Sequence, residues 1–352
     1  MRAGGSRGDF AFVLHPLDPK RDVARQYPSL AKILPPALIR AAARVWPPLV
    51  LSHVTGVRSM ETGKGVKGWL LACPLTAGQI LELPPQVVYD KVVQAGRLAQ
   101  KQGTRILGLG AFTSVAGDGG VTVAQRLNMP VTTGNSLTVA MTVQALRDAA
   151  RERDLSLETA TAAVVGASGS IGLAGAEMLA RLVGSLILVG RQEIHVSQAR
   201  AQVEAAGTAK VRVSTRIDDI RDADVVMSAT SAVEPIIKSR HLKEGAIVCD
   251  VARPPDVSPT VRRERKDVSI INGGIVDVPG HVDFGFDFGL PAGQTFACMA
   301  EVMVLALEGR YESFSLGQKV DREKVEEIAR LAQKHGFRLS ADPSGYGGLA
   351  AD

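Results

Sequence analysis

The stretch TAAVVGASGSIGLAG, residues 161–175, determines the fold expected for this chain. A short strand-like run leads directly into a turn in which Gly166, Gly169 and Gly172 are spaced by three residues, and a helical pattern follows. Glycines let such a turn tighten and let the backbone approach a pyrophosphate, whose charge then faces the positive end of the helix. The pattern predicts a dinucleotide-binding unit whose cofactor-binding residues are Gly166, Ser168, Gly169, Ser170, Ile171 and Gly172.

Four more strand-like segments follow this turn, separated by helical or polar connections: LILVG, VRVS, ADVVMSA and AIVCDV. Short apolar strands that alternate with helices are typical of a parallel, doubly wound α/β sheet. We therefore predict a Rossmann-type domain over residues 151–285. An α/β substrate domain is expected over residues 1–150, and C-terminal helices at 286–340 are expected to pack back onto it. The small, polar residues 341–352 predict a disordered tail.

Arg191 follows the second predicted strand, where an NAD-binding domain would place an acidic residue for the ribose hydroxyls. A guanidinium there suits a 2′-phosphate, so the predicted cofactor is NADPH. Ser228, Ala229 and Thr230 end a later strand, near the expected nicotinamide ribose, and complete the predicted cofactor site. The alternative is a structural glycine turn with an incidental surface arginine.

Composition excludes several classes of protein. Of the 352 residues, 45% are apolar and 22% are charged, which indicates a folded chain, and no apolar segment predicts a signal peptide or a membrane span. The net charge of +5 is scattered, and 4% aromatic residues with no zinc-finger or RNA-binding motif argue against nucleic acid. No His/Asp/Glu cluster has metal-ligand spacing. A cytoplasmic protein is expected, because three cysteines without paired spacing do not indicate disulfides.

Cys298 lies in LPAGQTFACMAEVMVLALEG, residues 290–309, which predicts a largely buried helix after Pro291. A helix N-terminus favours the thiolate, the nucleophilic form of cysteine. The alternative is packing, because free cysteine is among the most buried residue types. Cys73 and Cys249 lie inside predicted strands and are expected to be core residues. A second helix is predicted after TTGNS, with Ser136 as its N-cap.

Six segments of this chain resemble the long-chain acyl-[acyl-carrier-protein] reductases and occur in the order of that family. They are LGLGAFTSV (107–115), TTGNS (132–136), VVGASGSIG (164–172), NGGIV (272–276), QTFACMAE (294–301) and KHGF (334–337). In that family the cysteine of the FAC segment accepts the acyl group, and Cys298 occupies its position here. The resemblance implies NADPH-dependent reduction of a long-chain acyl thioester to a fatty aldehyde through an acyl-cysteine.

The expected partners follow from this resemblance: an acyl carrier protein or a CoA thioester of a fatty acid, and an aldehyde-consuming enzyme. The mildly basic surface would speed encounter with an acidic carrier. Asn135 and Ser114, with Thr133 and Ser136, are candidate oxyanion donors, the alternative being helix capping and turn formation. His335 is either a proton donor or a helix C-cap.

Two other functions stay open from the sequence. One is a shikimate-dehydrogenase-like NADP oxidoreductase, although the substrate motif of that family is not found in the N-terminal part. The other is a non-catalytic NADP-binding protein. Phe284, Phe286 and Phe288 either line an acyl tunnel or belong to the core.

Overall fold

The computed structural model describes residues 7–16, 35–110, 112–115, 117–287 and 289–340. Phe288 and the predicted tail at 341–352 lie outside the described residues. The helices are α1 (Pro36–Val45), α2 (Ala77–Glu82), α3 (Pro85–Lys101), α4 (Phe112–Val115), α5 (Val121–Gln125), α6 (Asn135–Glu152), α7 (Ser170–Leu179), α8 (Glu193–Ala206), α9 (Pro259–Glu264), α10 (Ala297–Glu308) and α11 (Arg322–His335).

One sheet contains six parallel strands. They are β6 (Thr161–Val165), β7 (Ser185–Val189), β8 (Lys210–Ser214), β9 (Val225–Ser228), β10 (Ile247–Asp250) and β11 (Ser269–Asn272). The sequence pattern predicted five of them, and the sixth, β11, was not predicted. Their spatial order is β8-β7-β6-β9-β10-β11, so the direction of winding reverses between β6 and β9. That reversal opens a crevice at the carboxyl ends of the strands, where such sheets bind nucleotides. The predicted Rossmann-type fold is confirmed.

A second six-stranded sheet is built mainly from the N-terminal part of the chain. Its strands, in spatial order, are β13 (Gly280–Asp283), β2 (Leu49–Arg58), β3 (Gly65–Ala72), β1 (Phe10–Leu14), β4 (Leu107–Leu109) and β5 (Val131–Thr132). The pairings around β1 and β4 are parallel, whereas β2 is antiparallel to both of its neighbours. Strand β13 lies within the range predicted for the Rossmann domain, yet it pairs with β2 of this sheet.

Helices α6 and α10 connect the two sheets. Helix α10 packs against β1, β3 and β4, α6 packs against α7 and β10, and the two helices contact each other. A small antiparallel sheet of β12 (Ile275–Asp277), β14 (Gln294–Phe296) and β15 (Arg338–Leu339) covers the start of α10. Most of α10 is fully buried, as its apolar run predicted.

Two predicted helix starts are wrong. The residues just after Pro291 include strand β14, so α10 begins only at Ala297 and Cys298 is its second residue. The residue before α6 is Gly134 in the left-handed conformation, and the N-cap is therefore not Ser136. Both corrections come from tertiary contacts, because β14 pairs with β12 and the Ser136 hydroxyl accepts from Ser315 at 2.7 Å.

Candidate functional site

The glycine-rich turn between β6 and α7 needs two of its glycines for close packing. Gly166 has a φ of +83°, and a Cβ there would lie 2.5 Å from the carbonyl oxygen of Ala229. A Cβ at Gly172 would lie 2.1 Å from the carbonyl oxygen of Gly166. Any larger residue at either position would force the turn open.

Gly169 differs from these two glycines because a Cβ there would meet only the Gly166 carbonyl, at 3.4 Å. Because Gly169 has no side chain, a space in front of the N-terminus of α7 stays open toward solvent. We call this space the cradle. No side chain caps this helix, Ser168 is exposed, and Ser170 and Ile171 are half-buried in its first turn. Backbone N–H groups and the positive end of the helix face this space, so the turn fits the pyrophosphate of a dinucleotide.

Arg191 lies two residues beyond β7, between that strand and α8, and its side chain is exposed. Among the residues that the structure describes, it forms neither an ion pair nor a hydrogen bond to a side chain. The guanidinium is therefore available to a ligand at the strand end that borders the glycine turn.

The end of β9 is fixed by a carboxylate that the sequence did not single out. The hydroxyl of Ser228 donates to Asp256 at 2.6 Å, and Thr230 donates to it through its hydroxyl at 2.5 Å and its N–H at 3.1 Å. Burial raises the pKa of Asp256, opposed by these hydrogen bonds. Asp256 therefore holds the backbone of Ala229 against Gly166, and the two hydroxyls serve that positioning.

Cys298 is partly exposed at the start of α10, whereas Cys73 and Cys249 are buried. Burial raises the pKa of Cys73 to about 11 and that of Cys249 to about 12, so both stay protonated thiols, as expected of core residues. Phe296, the residue preceding α10, lies beneath the guanidinium of Arg253, whose central carbon is 5.4 Å from the ring centre. Cys298 thus combines partial exposure with a position at a helix N-terminus.

The loop before α6 packs directly on Cys298. Gly134 has a φ of +76°, and a Cβ there would lie 2.2 Å from the Cα of Cys298 and 2.5 Å from its Cβ. The TTGNS and QTFACMAE segments, far apart in the sequence, therefore meet at these two residues.

Asn135, the first residue of α6, reaches across to the nucleotide-binding turn. Its side-chain amide donates to the Ser170 hydroxyl at 3.2 Å. Its backbone N–H has no acceptor within the described ranges of the chain, whereas the Ser136 N–H donates to Ser315 and the Leu137 N–H to Glu301. The start of α6 thus joins the cysteine to the glycine turn and leaves one N–H group free for an oxyanion.

Glu301 is the principal residue that sequence reasoning missed. Its fully buried carboxylate accepts from the Thr132 hydroxyl at 2.5 Å and from the Leu137 N–H at 2.9 Å, and burial raises its pKa. Ser315 donates its N–H to Thr132 and its hydroxyl to Ser136. One sequence signal was available for Glu301, since a single acid within an apolar helix must be paired when it is buried.

Two other predicted candidates belong to other helices. Ser114 is buried in α4, which is held to the end of β1 in the second sheet by a hydrogen bond from the Phe112 N–H to His15. His335 ends α11, where its Nε2 atom lies 2.8 Å from the Glu308 carboxylate at the far end of α10. Given the rise of an α-helix, that places His335 about 15 Å from Cys298 along the axis of α10. Its place at the end of α11 fits the helix-end alternative, and this distance does not support direct proton transfer from His335 to an acyl group on Cys298.

A cavity of about 80 Å³ lies beside the start of α6, lined on one side by Thr133, Asn135 and Ser136 and on the other by the segment 314–324. A space of this volume fits small groups or waters and is too small for a long acyl chain. Phe284 is buried in the core cluster that contains α10, and Phe286 packs against the same cluster. The core-packing alternative for these two rings is consistent with that placement.

No group of three potential metal ligands occurs in the described part of the chain. Within the same residues, no helix is both long enough and apolar enough to cross a bilayer.

Comparisons with known proteins agree with the nucleotide-binding geometry. The model of the shikimate / quinate 5-dehydrogenase family matches residues 148–272, well under half of the chain. The long-chain acyl-[acyl-carrier-protein] reductase of Synechococcus elongatus is 27% identical over 307 residues, covering 83% of this chain and 87% of that protein. L-tryptophan dehydrogenase from Nostoc punctiforme has a TM-score of 0.41 over 94% of this chain and 81% of that one, at 9% identity, which is too low to transfer an activity.

A protein described as aminotransferase PigE of a Serratia species is 32% identical over 279 residues, which cover 78% of this chain. The matching region spans only 33% of that longer protein, so its activity does not carry over. Taken with the glycine turn and the strand order, the family match shows that this chain carries the NADP-binding Rossmann fold of an oxidoreductase.

Proposed function

We propose that the protein is an NADPH-dependent reductase that converts a long-chain acyl thioester, carried by acyl carrier protein or CoA, into a fatty aldehyde through an acyl-cysteine at Cys298. The observation that carries this proposal is the contact of Cys298 with Gly134, next to Asn135, whose amide reaches Ser170 in the nucleotide-binding turn. A nucleophile and a cofactor site thereby lie on either side of a single helix start.

Cys298 would act as the nucleophile. As the second residue of α10, its thiolate would be favoured by the positive end of the helix. Attack on the thioester carbonyl forms the bond from Sγ to the acyl carbon and breaks the bond from that carbon to the carrier sulfur. The carrier leaves as a thiol, and the acyl group stays on Cys298.

The negative charge that develops on the carbonyl oxygen needs donors that are already in place. The free N–H of Asn135 supports this role, and the Asn135 amide is held by Ser170. Glu301 positions this helix start by binding Thr132 and Leu137 while itself remaining buried. Donors fixed in this way stabilise an oxyanion without reorganising during the reaction.

NADPH, when bound, supplies a hydride to the acyl carbon. The cradle at Gly169 and the first turn of α7 would hold its pyrophosphate, and Arg191 would bind its 2′-phosphate. Ala229 and Thr230, fixed by Asp256, would border the nicotinamide ribose.

Intact-protein mass spectrometry after mixing with acyl carrier protein or CoA thioesters, without NADPH, tests this function. We expect an acyl adduct on Cys298, removed when NADPH is added, with aldehyde as the product. Cys298→Ala should abolish both the adduct and the aldehyde while NADPH still binds. The matched control is Cys73→Ala, which should leave the adduct intact because Cys73 is buried. Absence of an adduct with every thioester donor would refute the mechanism.

A further inference from the structure

Large apolar side chains are concentrated on one surface of the molecule, around α1. Within the described part of the chain, eight large apolar residues are exposed, and five of them belong to α1, α2, α3 or the residue that ends α1. These five are Leu38, Val45, Trp46, Leu81 and Val87. We call this group the α1 surface.

Two hydrogen bonds join the three helices of this surface. The Gln79 amide of α2 donates to the Arg40 carbonyl at 2.7 Å, and Lys91 of α3 donates to the Trp46 carbonyl at 2.7 Å. Val87 lies four residues before Lys91 on α3, so both are on the helix face near Trp46. The exposed apolar residues therefore belong to three helices that are joined to one another, and concentrations of exposed apolar side chains mark binding surfaces.

Helix α1 exposes large apolar side chains on the side that faces away from the protein. Ala43 is buried against the protein, while Leu38 and Val45 lie on the opposite side, 55% and 80% exposed. Arg40 and Arg44 are exposed and are the only charged residues between 35 and 48. Trp46 follows the last turn and is 51% exposed.

We propose that the α1 surface binds peripherally to an anionic lipid membrane. A helix that exposes apolar side chains on one side and carries its arginines on the adjoining polar side is able to insert shallowly between lipid headgroups, and tryptophan prefers that interface. The arginine side chains reach outward to lipid phosphates while their stems stay apolar. Two acidic residues lie on the neighbouring helices. Asp90 of α3 is paired with Arg126, and Glu82, the last residue of α2, is exposed. This proposal stands independently of the proposed function.

The chain offers a built-in reporter, because it has two tryptophans. The Trp69 indole N–H is buried with no acceptor among the described residues, so Trp69→Phe removes that ring without losing a hydrogen bond. In the full-length Trp69→Phe protein, vesicles of phosphatidylglycerol and phosphatidylcholine should shift Trp46 emission to the blue and sediment with the protein. Vesicles of phosphatidylcholine alone should bind roughly tenfold more weakly, because their surface has no net negative charge to attract the two arginines.

Val45→Glu should weaken binding to the anionic vesicles by about tenfold or more, since an apolar contact is replaced by a charge. Arg40→Gln with Arg44→Gln should weaken it by a similar factor. Met60→Glu is the control, because Met60 is 64% exposed but outside the α1 surface, and its binding should be unchanged. Cys298→Ala should bind vesicles like the parent protein, which separates this proposal from the catalytic one.

Three outcomes would overturn the proposal: no emission shift with anionic vesicles, equal losses for Met60→Glu and Val45→Glu, or a shift that an acidic carrier protein causes in lipid-free solution. Sedimentation without lipid tests whether a second copy of the chain, and not a membrane, covers the α1 surface. A dimer that Val45→Glu dissociates would replace the membrane as the partner.

Discussion

Gly134 lies against Cys298 so closely that a side chain at position 134 would overlap the cysteine backbone, with its Cβ 2.2 Å from the Cα of Cys298. The left-handed conformation of Gly134, with a φ of +76°, starts α6 and points Asn135 toward Ser170. One glycine therefore sets both the packing of the candidate nucleophile and the link to the nucleotide-binding turn.

Gly134→Ala should remove acylation of Cys298 and lower the free energy of unfolding by several kcal/mol. The reason is that the alanine would suffer both backbone strain and a steric clash with Cys298. Adduct mass spectrometry and thermal unfolding measure the two effects. Gly63→Ala is the matched control, since Gly63 has a φ of +67° and no atom within 4 Å of the added Cβ. Gly63→Ala should lower the free energy of unfolding by about 1 kcal/mol, through backbone strain alone, and leave acylation intact. Equal behaviour of the two variants would show that the contact with Cys298 does not matter.

Asn135→Ala should lower the rate of aldehyde formation by roughly tenfold, less than the roughly 100-fold expected for loss of an oxyanion donor, because it removes the amide that fixes the helix start to Ser170 but keeps the backbone N–H. Steady-state kinetics should show this loss in kcat. Thr142→Ala in the same helix removes a hydroxyl bonded only to the Thr138 carbonyl, so it should change stability without changing kcat. An Asn135→Ala protein that loses melting temperature but keeps its rate would identify Asn135 as a purely structural residue.

Arg191→Ala should weaken NADPH binding by roughly tenfold or more and leave NADH binding nearly unchanged, because only NADPH carries the 2′-phosphate. Fluorescence titration with each cofactor measures the difference. Arg200→Ala is a suitable control, since Arg200 lies on the neighbouring helix and is paired with Glu204. Equal losses for both cofactors would contradict the assignment of Arg191.

Because the His15 ring is buried, we expect the folded protein to lose stability in acid. Its Nε2 atom accepts from the Phe112 N–H, and burial lowers its pKa from 6.5 to about 4. Because the folded protein favours the neutral ring, stability is complete above pH 6.5 and falls as the pH drops toward 4, by about 3 kcal/mol in total. Denaturant unfolding between these pH values should show this slope, and His15→Gln, which keeps an acceptor for Phe112, should remove it. A slope that persists in the variant would assign it to other groups.

The sequence was sufficient for the nucleotide-binding half because its signals are local. Strand, glycine turn and helix follow one another within residues 161–179, and both close-packed glycines were identifiable from their spacing. The same reasoning singled out Arg191, whose role stays a prediction. Cys73 and Cys249 were correctly assigned to the core, since Cys73 directly follows an apolar strand and Cys249 lies inside one.

Only the tertiary structure decided how the other half of the site is built. Gly134 meets Cys298, Glu301 binds Thr132, and Asp256 binds Ser228 across long stretches of chain, and no local pattern encodes such pairs. The two wrong helix starts have the same origin, since Gly134 and strand β14 are fixed by contacts with α10 and β12. The sequence by itself determined a dinucleotide fold and a candidate thiol, because turn chemistry and strand period act over a few residues. Close packing of α6 on α10 decided that this thiol lies beside the start of a second helix that reaches the nucleotide turn.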